Sequence, residues 1–356
     1  MVGIYIHIPF CVKKCRYCDF VSFDNKKDMI DLYTERLISE IKNSEIADGT
    51  KCNSIFIGGG TPTSIGAPRL VSILRAVHGK FKLCRPEITV EVNPKTAVYD
   101  DFLLLKSAGV NRLSIGLQSA NGDELAFLGR VHNFKDFEHT YNEALRAGFD
   151  NINIDLMFGL HEQTPDKWSA SLSAVASLEP KHISCYALSV EPGTPLSKME
   201  LKFPDENVDS EMYYYAKDFL EGQGYKHYEI SNFSKRGYEC NHNLKYWRRE
   251  EYIGFGAAAH SLINNLRYAN PNDIGEYMSA QKPKKEILSA DDIRSEKIFL
   301  GLRLADGIEV DDIFLEEKQA ALRKLQSLGV IILENHKITM ARKGLYIQNQ
   351  ILAELI

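Results

Sequence analysis

Three cysteines near the start of the chain constrain this sequence more than any other feature. Cys11, Cys15 and Cys18 have the spacing C-x3-C-x2-C and follow a short apolar run directly, so three thiolates can converge at the end of one predicted strand. Thiolates are soft ligands that suit iron–sulfur clusters and zinc. A four-iron cluster held by three cysteines keeps one iron open for an exogenous chelator. A structural zinc site, which normally needs four protein ligands, and a disulfide are the alternatives.

Composition places few further limits on the chain. Its 356 residues carry 43 Lys and Arg against 48 Asp and Glu, for a net charge of −5, and no basic stripe is present. Nucleic-acid binding usually requires such a stripe, so we expect no nucleic-acid partner. The N-terminus lacks the pattern of a secretion signal, and no run approaches 18 apolar residues. We therefore expect a cytoplasmic protein without a transmembrane segment.

The first half of the chain alternates short apolar runs with longer amphipathic ones. Six strand–helix units of this kind predict a parallel sheet with right-handed crossovers, and six are too few for a complete eight-stranded barrel. The expected fold is α/β, a partial (β/α)6 barrel, with its chemistry at the carboxyl ends of the strands. The predicted strands are Ile4–Ile8, Ser54–Ile57, Ile88–Val92, Arg112–Ile115, Ile152–Leu156 and His182–Leu188.

Several polar or glycine-rich positions follow these strands. Gly59 and Gly60, with Thr61, follow the second strand and let the backbone approach a ligand, although a tight turn is the alternative. Further along the chain, Glu91 can accept ribose hydroxyls, Gln118 offers a donor and an acceptor, Arg130 can bind a carboxylate and Asp155 should face the mouth of the barrel. Capping and loop hydrogen bonds are the alternatives for these side chains.

With its cysteine spacing and the Gly58–Pro62 segment, the chain resembles the radical S-adenosylmethionine (SAM) superfamily, in particular oxygen-independent coproporphyrinogen III oxidase and its relatives, the HemN-like subgroup. The resemblance implies a [4Fe-4S] cluster on the three cysteines, with SAM on the open iron as the source of a 5′-deoxyadenosyl radical. The positions that the resemblance assigns to SAM are Tyr5, Tyr17, Gly59, Gly60, Thr61, Glu91, Gln118, Arg130 and Asp155.

A second block lies between positions 240 and 248. His242, Asn243, Tyr246 and Trp247 form an HNxxYW pattern that suits a porphyrin, since imidazole can ligate iron and flat rings can pack on the macrocycle. A structural histidine in an aromatic corner is the alternative. Cys240 and His260 are lesser candidates for heme contacts.

This pattern resembles that of heme chaperones within the HemN-like subgroup rather than the oxidase. Two departures agree with it: only ten residues precede Cys11, and Phe20 stands where the oxidase has a fourth cysteine. The resemblance therefore implies heme as a ligand, a reductant for the cluster and a heme-acceptor protein of the respiratory chain. Peripheral association with a membrane is compatible with that role.

The tail has its own organisation. We predict a barrel with its extension at 1–270, a linker with a short helix at 271–290, and a small, mostly helical, winged-helix-like domain at 291–356. Basic and acidic side chains balance in this tail, which favours a lid or docking domain over a DNA-binding one.

The expected function is thus a heme chaperone of radical SAM build. A coproporphyrinogen III oxidase and a redox-controlled regulator that binds DNA or a protein are the alternatives. Whether the protein is an enzyme stays open at this stage.

Overall fold

A computed structural model describes all 356 residues. Its central feature is a sheet in which the first six strands run parallel, each hydrogen-bonded to the next along the chain. These strands are β1 Val2–Ile8, β2 Lys51–Gly59, β3 Lys82–Val92, β4 Arg112–Gln118, β5 Ile152–Phe158 and β6 His182–Ala187.

Six helices connect these strands and cover the outer face of the sheet. Each presents an apolar stripe; on α5, Phe137, Tyr141 and Ala144 are buried, and Asn133 caps the helix through Asp136 N–H. Together with the sheet the helices enclose a core of 55 buried residues. They are α1 Ile30–Asn43, α2 Ala67–Lys80, α3 Tyr99–Ser107, α4 Gly122–Leu128, α5 Phe134–Arg146 and α6 Pro165–Ala176.

The two faces of the sheet differ in polarity. Along β4, Leu113, Ile115 and Leu117 belong to the outer core, whereas the alternate residues, which include Arg112 and Ser114, line an inner cavity. Successive side chains of a strand point to opposite faces, so the inner face is polar. The sheet curves without closing, and the predicted partial (β/α)6 barrel is confirmed.

The second half of the chain extends this sheet at both edges. β8 pairs antiparallel with β6, and β9 pairs parallel with β1 on the side opposite β2. The elements are α7 Glu206–Gly222, β7 Lys226–Glu229, β8 Asn232–Ser234, α8 Asn241–Trp247, β9 Tyr252–Phe255, β10 His260–Ile263, β11 Leu266–Ala269, α9 Ile274–Met278 and β12 Lys284–Ile287.

Two short β features of this region go beyond the expectations from the sequence. Residues 226–234 form a hairpin, β7 and β8, whose connection is Ile230–Ser231. The segment 271–290, predicted as a linker with a short helix, contains that helix and also β12, which pairs with β11. Strands of three or four residues carry too little alternation to be recognised alone, because their pairing partners stabilise them.

The C-terminal elements surround a separate core of 11 buried residues. β14 and β15 form a hairpin, β13 adds a third strand, and the last helix begins at Gln348. The domain boundaries themselves stay predictions. The elements are α10 Ala290–Gly301, β13 Ile308–Glu309, α11 Asp312–Glu317, α12 Gln319–Ser327, β14 Ile331–Glu334, β15 Lys337–Met340 and α13 Gln348–Leu355.

Specific contacts attach these C-terminal elements to the rest of the chain. Arg342 donates two hydrogen bonds to the Asp218 carboxylate on α7, at 2.6 and 2.7 Å. The Tyr346 hydroxyl donates to Asp209 on the same helix at 2.7 Å. None of the helices in the structure is both long and apolar enough to cross a membrane.

Trp168 on α6 joins two layers of the fold and provides a test of it. The residue is fully buried, packs against Phe158 and donates from its indole N–H to the carbonyl of Met212 on α7. We expect Trp168→Ala to lower the free energy of unfolding by about 3–5 kcal/mol. Trp168→Phe should cost about 1–3 kcal/mol, because it removes this hydrogen bond and part of the buried ring.

Urea denaturation of the cofactor-free protein measures both changes. Phe203→Ala, at a side chain that is 46% exposed, is the control and should change the free energy of unfolding by less than about 0.5 kcal/mol. Equal losses in Trp168→Ala and in this control would contradict the assignment of Trp168 to the core.

Candidate functional site

A cavity of about 450 Å³ opens on the inner face of the sheet, where the carboxyl ends of the parallel strands meet. Cys11, Cys15 and Cys18 line it, so the structure brings the three predicted cluster ligands to one space. The predicted SAM residues that line the same cavity are Tyr5, Tyr17, Gly59, Gly60, Thr61, Glu91, Gln118, Arg130 and Asp155. The volume lies within the usual range of ligand pockets.

Backbone hydrogen bonds hold the cysteine loop above this cavity. Cys11 N–H donates to the carbonyl of Phe23 at 2.9 Å, and Phe23 N–H donates to Pro9 at 2.7 Å, which closes the base of the loop. On its far side, Arg16 N–H donates to the carbonyl of Leu128, the last residue of α4, at 3.0 Å. The loop is thus fixed at both ends before any ligand binds.

Polar side chains contact all three thiols, and Cys18 Sγ lies 3.9 Å from the Ser22 hydroxyl. The Thr61 hydroxyl donates to Cys11 Sγ at 3.7 Å, and Arg130 Nη1 donates to Cys15 Sγ at 3.4 Å. Asn93 links these two donors, because its amide donates to Thr61 at 2.6 Å and its Oδ1 accepts from Arg130 at 2.6 Å. Donors around a thiolate stabilise its negative charge, while burial raises the pKa of Cys11.

The donor set fits a cluster better than a single ion. No group of three His, Cys, Asp or Glu side chains lies close enough together to hold one metal ion, although the three free cysteines share one cavity. A four-iron cluster takes one thiolate on each iron and does not need the ligands to meet at one point.

Glycine is required in the turn after β2. Gly59 has φ +113°, and a Cβ there would lie 2.5 Å from the imidazole of His7. A Cβ at Gly60 would lie 2.7 Å from the carbonyl of Phe10. The turn therefore approaches the cysteine loop as closely as backbone permits, and Gly60 N–H and Thr61 N–H donate to Ile8 and Phe10.

Glu91 is a partly buried carboxyl at the carboxyl end of β3. Its Oε2 accepts a hydrogen bond from Gly59 N–H at 3.1 Å. Burial, and then the nearby Asp155, raise the pKa of Glu91 to about 8, against the opposing effect of that hydrogen bond. The cofactor-free site therefore holds this carboxyl largely protonated at neutral pH.

Tyr5 connects the sheet to the cysteine loop through a histidine. Its hydroxyl lies 3.0 Å from His7 Nδ1, and His7 Nε2 donates to the carbonyl of Val21 at 2.8 Å. Burial lowers the pKa of His7, so the imidazole is neutral, with Nδ1 accepting from Tyr5. Burial also raises the pKa of Tyr17, which is inside the loop.

Asp155 has hydrogen-bond partners within the chain, whereas Gln118 is notable for its backbone conformation. Asp155 accepts from Ser114 at 3.2 Å and from Asn153 at 2.8 Å, and burial raises its pKa. Gln118 adopts φ +76°, an uncommon conformation for a residue other than glycine. Its position at the end of β4 directs the side chain along the cavity wall.

His242 lies on α8 and borders the same cavity. It is 1% exposed, and both ring nitrogens already have partners: Nδ1 is 3.0 Å from Ser54 Oγ, and Nε2 is 2.9 Å from the Tyr246 hydroxyl. Burial lowers the pKa of His242 to about 3. The imidazole is neutral, and iron ligation through Nε2 requires Tyr246 to move.

The structure divides the predicted heme residues between two places. Asn243 and Tyr246 line the main cavity with His242, but Trp247 lines a different cavity beside α10. His260 is exposed on β10, and Cys240 is fully buried beneath α8, where its thiol contacts Glu87. These last two side chains are not among those that line the main cavity.

Sequence reasoning missed several further polar residues of the cavity. They include Asn93, Arg112, Ser114, Asn153, Ser184, Tyr186 and Asn232. Polar residues alternate with apolar ones in β4 and β5, which is the signal of an inward face, and that pattern could have identified Arg112, Ser114 and Asn153.

Comparison with known proteins agrees with this architecture. The family model described as the radical SAM superfamily matches residues 5–175, and the HemN C-terminal domain matches 288–347. The solved structure of coproporphyrinogen III oxidase (HemN) from Escherichia coli superposes with a TM-score of 0.87 at 23% identity, over 99% of this chain and 89% of that one. Fold and site together define a radical SAM protein of HemN-like build.

Curated relatives narrow this class. The heme chaperone HemW of Bacillus subtilis (strain 168) is 35% identical over 99% of this chain and 98% of its own length. The Escherichia coli (strain K12) HemW is 38% identical over 79% of this chain and 78% of its own, and a Mycobacterium tuberculosis HemW is 30% identical over 99% and 94%. This chain belongs to the HemW family of the radical SAM superfamily.

The raised pKa of Glu91 predicts a pH dependence of stability. Between the unfolded pKa near 4.3 and the folded pKa of about 8, the folded protein binds the extra proton, so its stability falls as pH rises. Compared with Glu91→Gln, the wild-type protein should lose up to about 1.4 kcal/mol per pH unit in this window. Below pH 4 the difference should be constant.

Urea denaturation of the cofactor-free proteins from pH 4 to 9 measures the free energy of unfolding of wild type and variant. Their difference, plotted against pH, is the difference curve. Glu35→Gln, at an exposed position on α1, serves as the matched control for loss of a carboxylate. A flat difference curve for Glu91→Gln would show that Glu91 is ionised in the folded state.

Proposed function

We propose that this protein is a heme chaperone that holds a [4Fe-4S] cluster and SAM, takes up heme near α8 and transfers it to an acceptor protein. The observation that carries the proposal is the shared cavity: the three cysteines and His242, Asn243 and Tyr246 line one space. The names of the relatives supply heme as the ligand.

Cys11, Cys15 and Cys18 would hold the cluster. The free thiols, the Thr61 and Arg130 donors and the glycine turn fit this group and a chelating amino acid beside it. When bound, a cluster with an open iron supplies an electron to its ligand. The protein's own residues hold the cysteine loop, exclude water and keep Glu91 and Tyr5 at the mouth.

The proposed heme site requires a local change at α8. Tyr246 covers the Nε2 of His242, and its hydroxyl has to leave before that nitrogen can bind iron. The Ser54 contact can stay, because a hydrogen bond on Nδ1 orients a metal-ligating histidine. In this proposal Tyr246 therefore blocks iron binding at Nε2 of His242 until its side chain moves.

An anaerobic titration of iron, sulfide and heme tests the cluster and the heme site together. Wild type should bind about four irons and four sulfides per chain and about one heme. Cys11→Ser should lose most of the cluster, and Cys52→Ser, a buried cysteine outside the cavity, is the control that should keep it. A full cluster in Cys11→Ser would remove the proposed ligand set.

Two variants of α8 separate ligation from packing. We expect His242→Ala to lose the heme while keeping the cluster. Tyr246→Phe removes only the hydroxyl from Nε2, so heme uptake should be retained or become tighter. Unchanged heme binding in His242→Ala would show that this histidine is structural.

A coproporphyrinogen III oxidase is the second candidate, and the similarity of the fold to HemN favours it. Against it stands Phe20, which is 68% exposed at the rim of the cavity, where the oxidase has a cysteine. Anaerobic incubation with coproporphyrinogen III, SAM and a reductant should give no decarboxylated product by mass spectrometry. Stoichiometric protoporphyrinogen would establish the oxidase instead.

The proposed partners and location follow from this role. They are a reductant for the cluster and an acceptor in the respiratory chain, reached from the cytoplasm with peripheral contact to the membrane. A regulator that binds DNA has no support from the charge balance of the tail.

A further inference from the structure

The floor of the main cavity contains a buried cation without a counter-ion. Arg112 begins β4, lines the cavity and is only 2% exposed. Its Nε is buried and has no hydrogen-bond partner, and no carboxylate lies within the 4.0 Å ion-pair distance. Arginine stays protonated in proteins, and a buried charge without a partner is strongly unfavourable.

The acidic side chains near Arg112 are engaged elsewhere. Glu87 accepts hydrogen bonds from the backbone N–H groups of Asn241 and His242, both at 3.1 Å, at the start of α8. Asp155 accepts from Ser114 and Asn153. These carboxylates moderate the charge from a distance but do not bind the guanidinium.

Two further buried polar atoms close to this floor also lack partners. Asn232 lines the cavity at 3% exposure, and its Oδ1 is unpaired. Thr89, which pairs with Arg112 in register, has an unpaired Oγ1 and no exposure. Buried polar groups in folded proteins are nearly always paired, so this concentration indicates a polar group that the chain itself does not supply.

We propose that Arg112 binds a carboxylate of the ligand that occupies the lower part of the cavity. The planar guanidinium can donate two parallel hydrogen bonds to a carboxylate, whereas the unpaired Asn232 Oδ1 is an acceptor and would pair with a donor group of the same ligand or with water. The identity of that ligand rests on the proposed function, because heme carries two propionates and SAM carries one carboxylate.

Arg112 begins β4, at the end of the strand opposite to the cluster site. Arg112 and Gln118 are at opposite ends of β4, and six residues of strand span about 20 Å. The two backbone positions thus lie at different depths of the cavity, so a carboxylate at Arg112 need not be the one that chelates the cluster. Heme and SAM are the two candidate sources of the carboxylate at Arg112.

Paired ligands that differ only in the carboxylate test this assignment on the full chain with its cluster reconstituted. The pairs are iron protoporphyrin IX against its dimethyl ester, and SAM against decarboxylated SAM. The variants are Arg112→Gln, Arg112→Lys and the control Arg75→Gln, an exposed arginine on α2. Titration calorimetry and absorbance give the affinities, and the cluster spectrum and circular dichroism report folding.

We expect Arg112→Gln to lower the wild-type preference for the free carboxylate by about 10- to 100-fold in one of the two pairs. Arg112→Lys, a point charge without the fork, should lower that preference by less. Arg75→Gln should match wild type. The pair that responds identifies the source of the carboxylate.

An unchanged preference in both pairs for Arg112→Gln would overturn the proposal, as would a wild-type protein without preference, since buried water then satisfies the floor. If Arg112→Gln does not fold, Arg112→Lys decides: a reduced preference supports the assignment and an unchanged one refutes it. If wild type binds no heme at all, the chaperone function fails, and the SAM pair still tests Arg112.

Discussion

The parallel pairing of β1 with β2 is the constraint on which the whole site depends. Ile8 lies opposite Gly59 in this pairing, and two more backbone hydrogen bonds, to Ile8 and Phe10, continue it beyond the ends of the strands. The cysteine loop and the glycine turn are thus extensions of one ladder. Because backbone groups make these contacts at close range, the turn needs glycine at 59 and 60, whatever side chains surround it.

The inner face of the sheet is polar and lines the cavity, so it adds little to the apolar core. The apolar core of 55 residues lies largely between the sheet and its helices, and burial of this kind supplies most of the stability of a domain. Inside, hydrogen-bond networks compensate for desolvation; His182, for example, bonds Asn153 at 2.6 Å and Tyr228 at 2.8 Å. Arg112 is an exception, together with Asn232 and Thr89, which is why its environment is informative about ligands.

Helix α8 shows how tertiary contacts position a motif. A helix of seven residues is not stable alone in water, and the Glu87 carboxylate at its start holds it against the sheet. Lys245 adds contacts to Glu250 at 2.7 Å and to the carbonyl of Met1 at 3.1 Å. The helix therefore holds His242 neutral, with both ring nitrogens hydrogen-bonded. The Tyr246 side chain has to move before Nε2 of His242 can bind another group.

Much of the fold and of the upper site could be predicted from the amino-acid sequence, because both depend on local patterns. Apolar periodicity determined the six strand–helix units, and the spacing of Cys11, Cys15 and Cys18 determined a three-thiolate loop. Glu91, Gln118 and Asp155 could be assigned to one edge, since the carboxyl ends of parallel strands meet there.

Only the tertiary structure decided the rest. β9 to β12 are short and depend on their neighbours for pairing. Trp247 follows His242 by five positions, about 140° around the helix, so it faces the second cavity, while Tyr246, four positions on, shares the face of His242. The unpaired state of Arg112 could not be read from the chain either, because the engagement of Glu87 and Asp155 with other groups arises from contacts between residues distant in sequence.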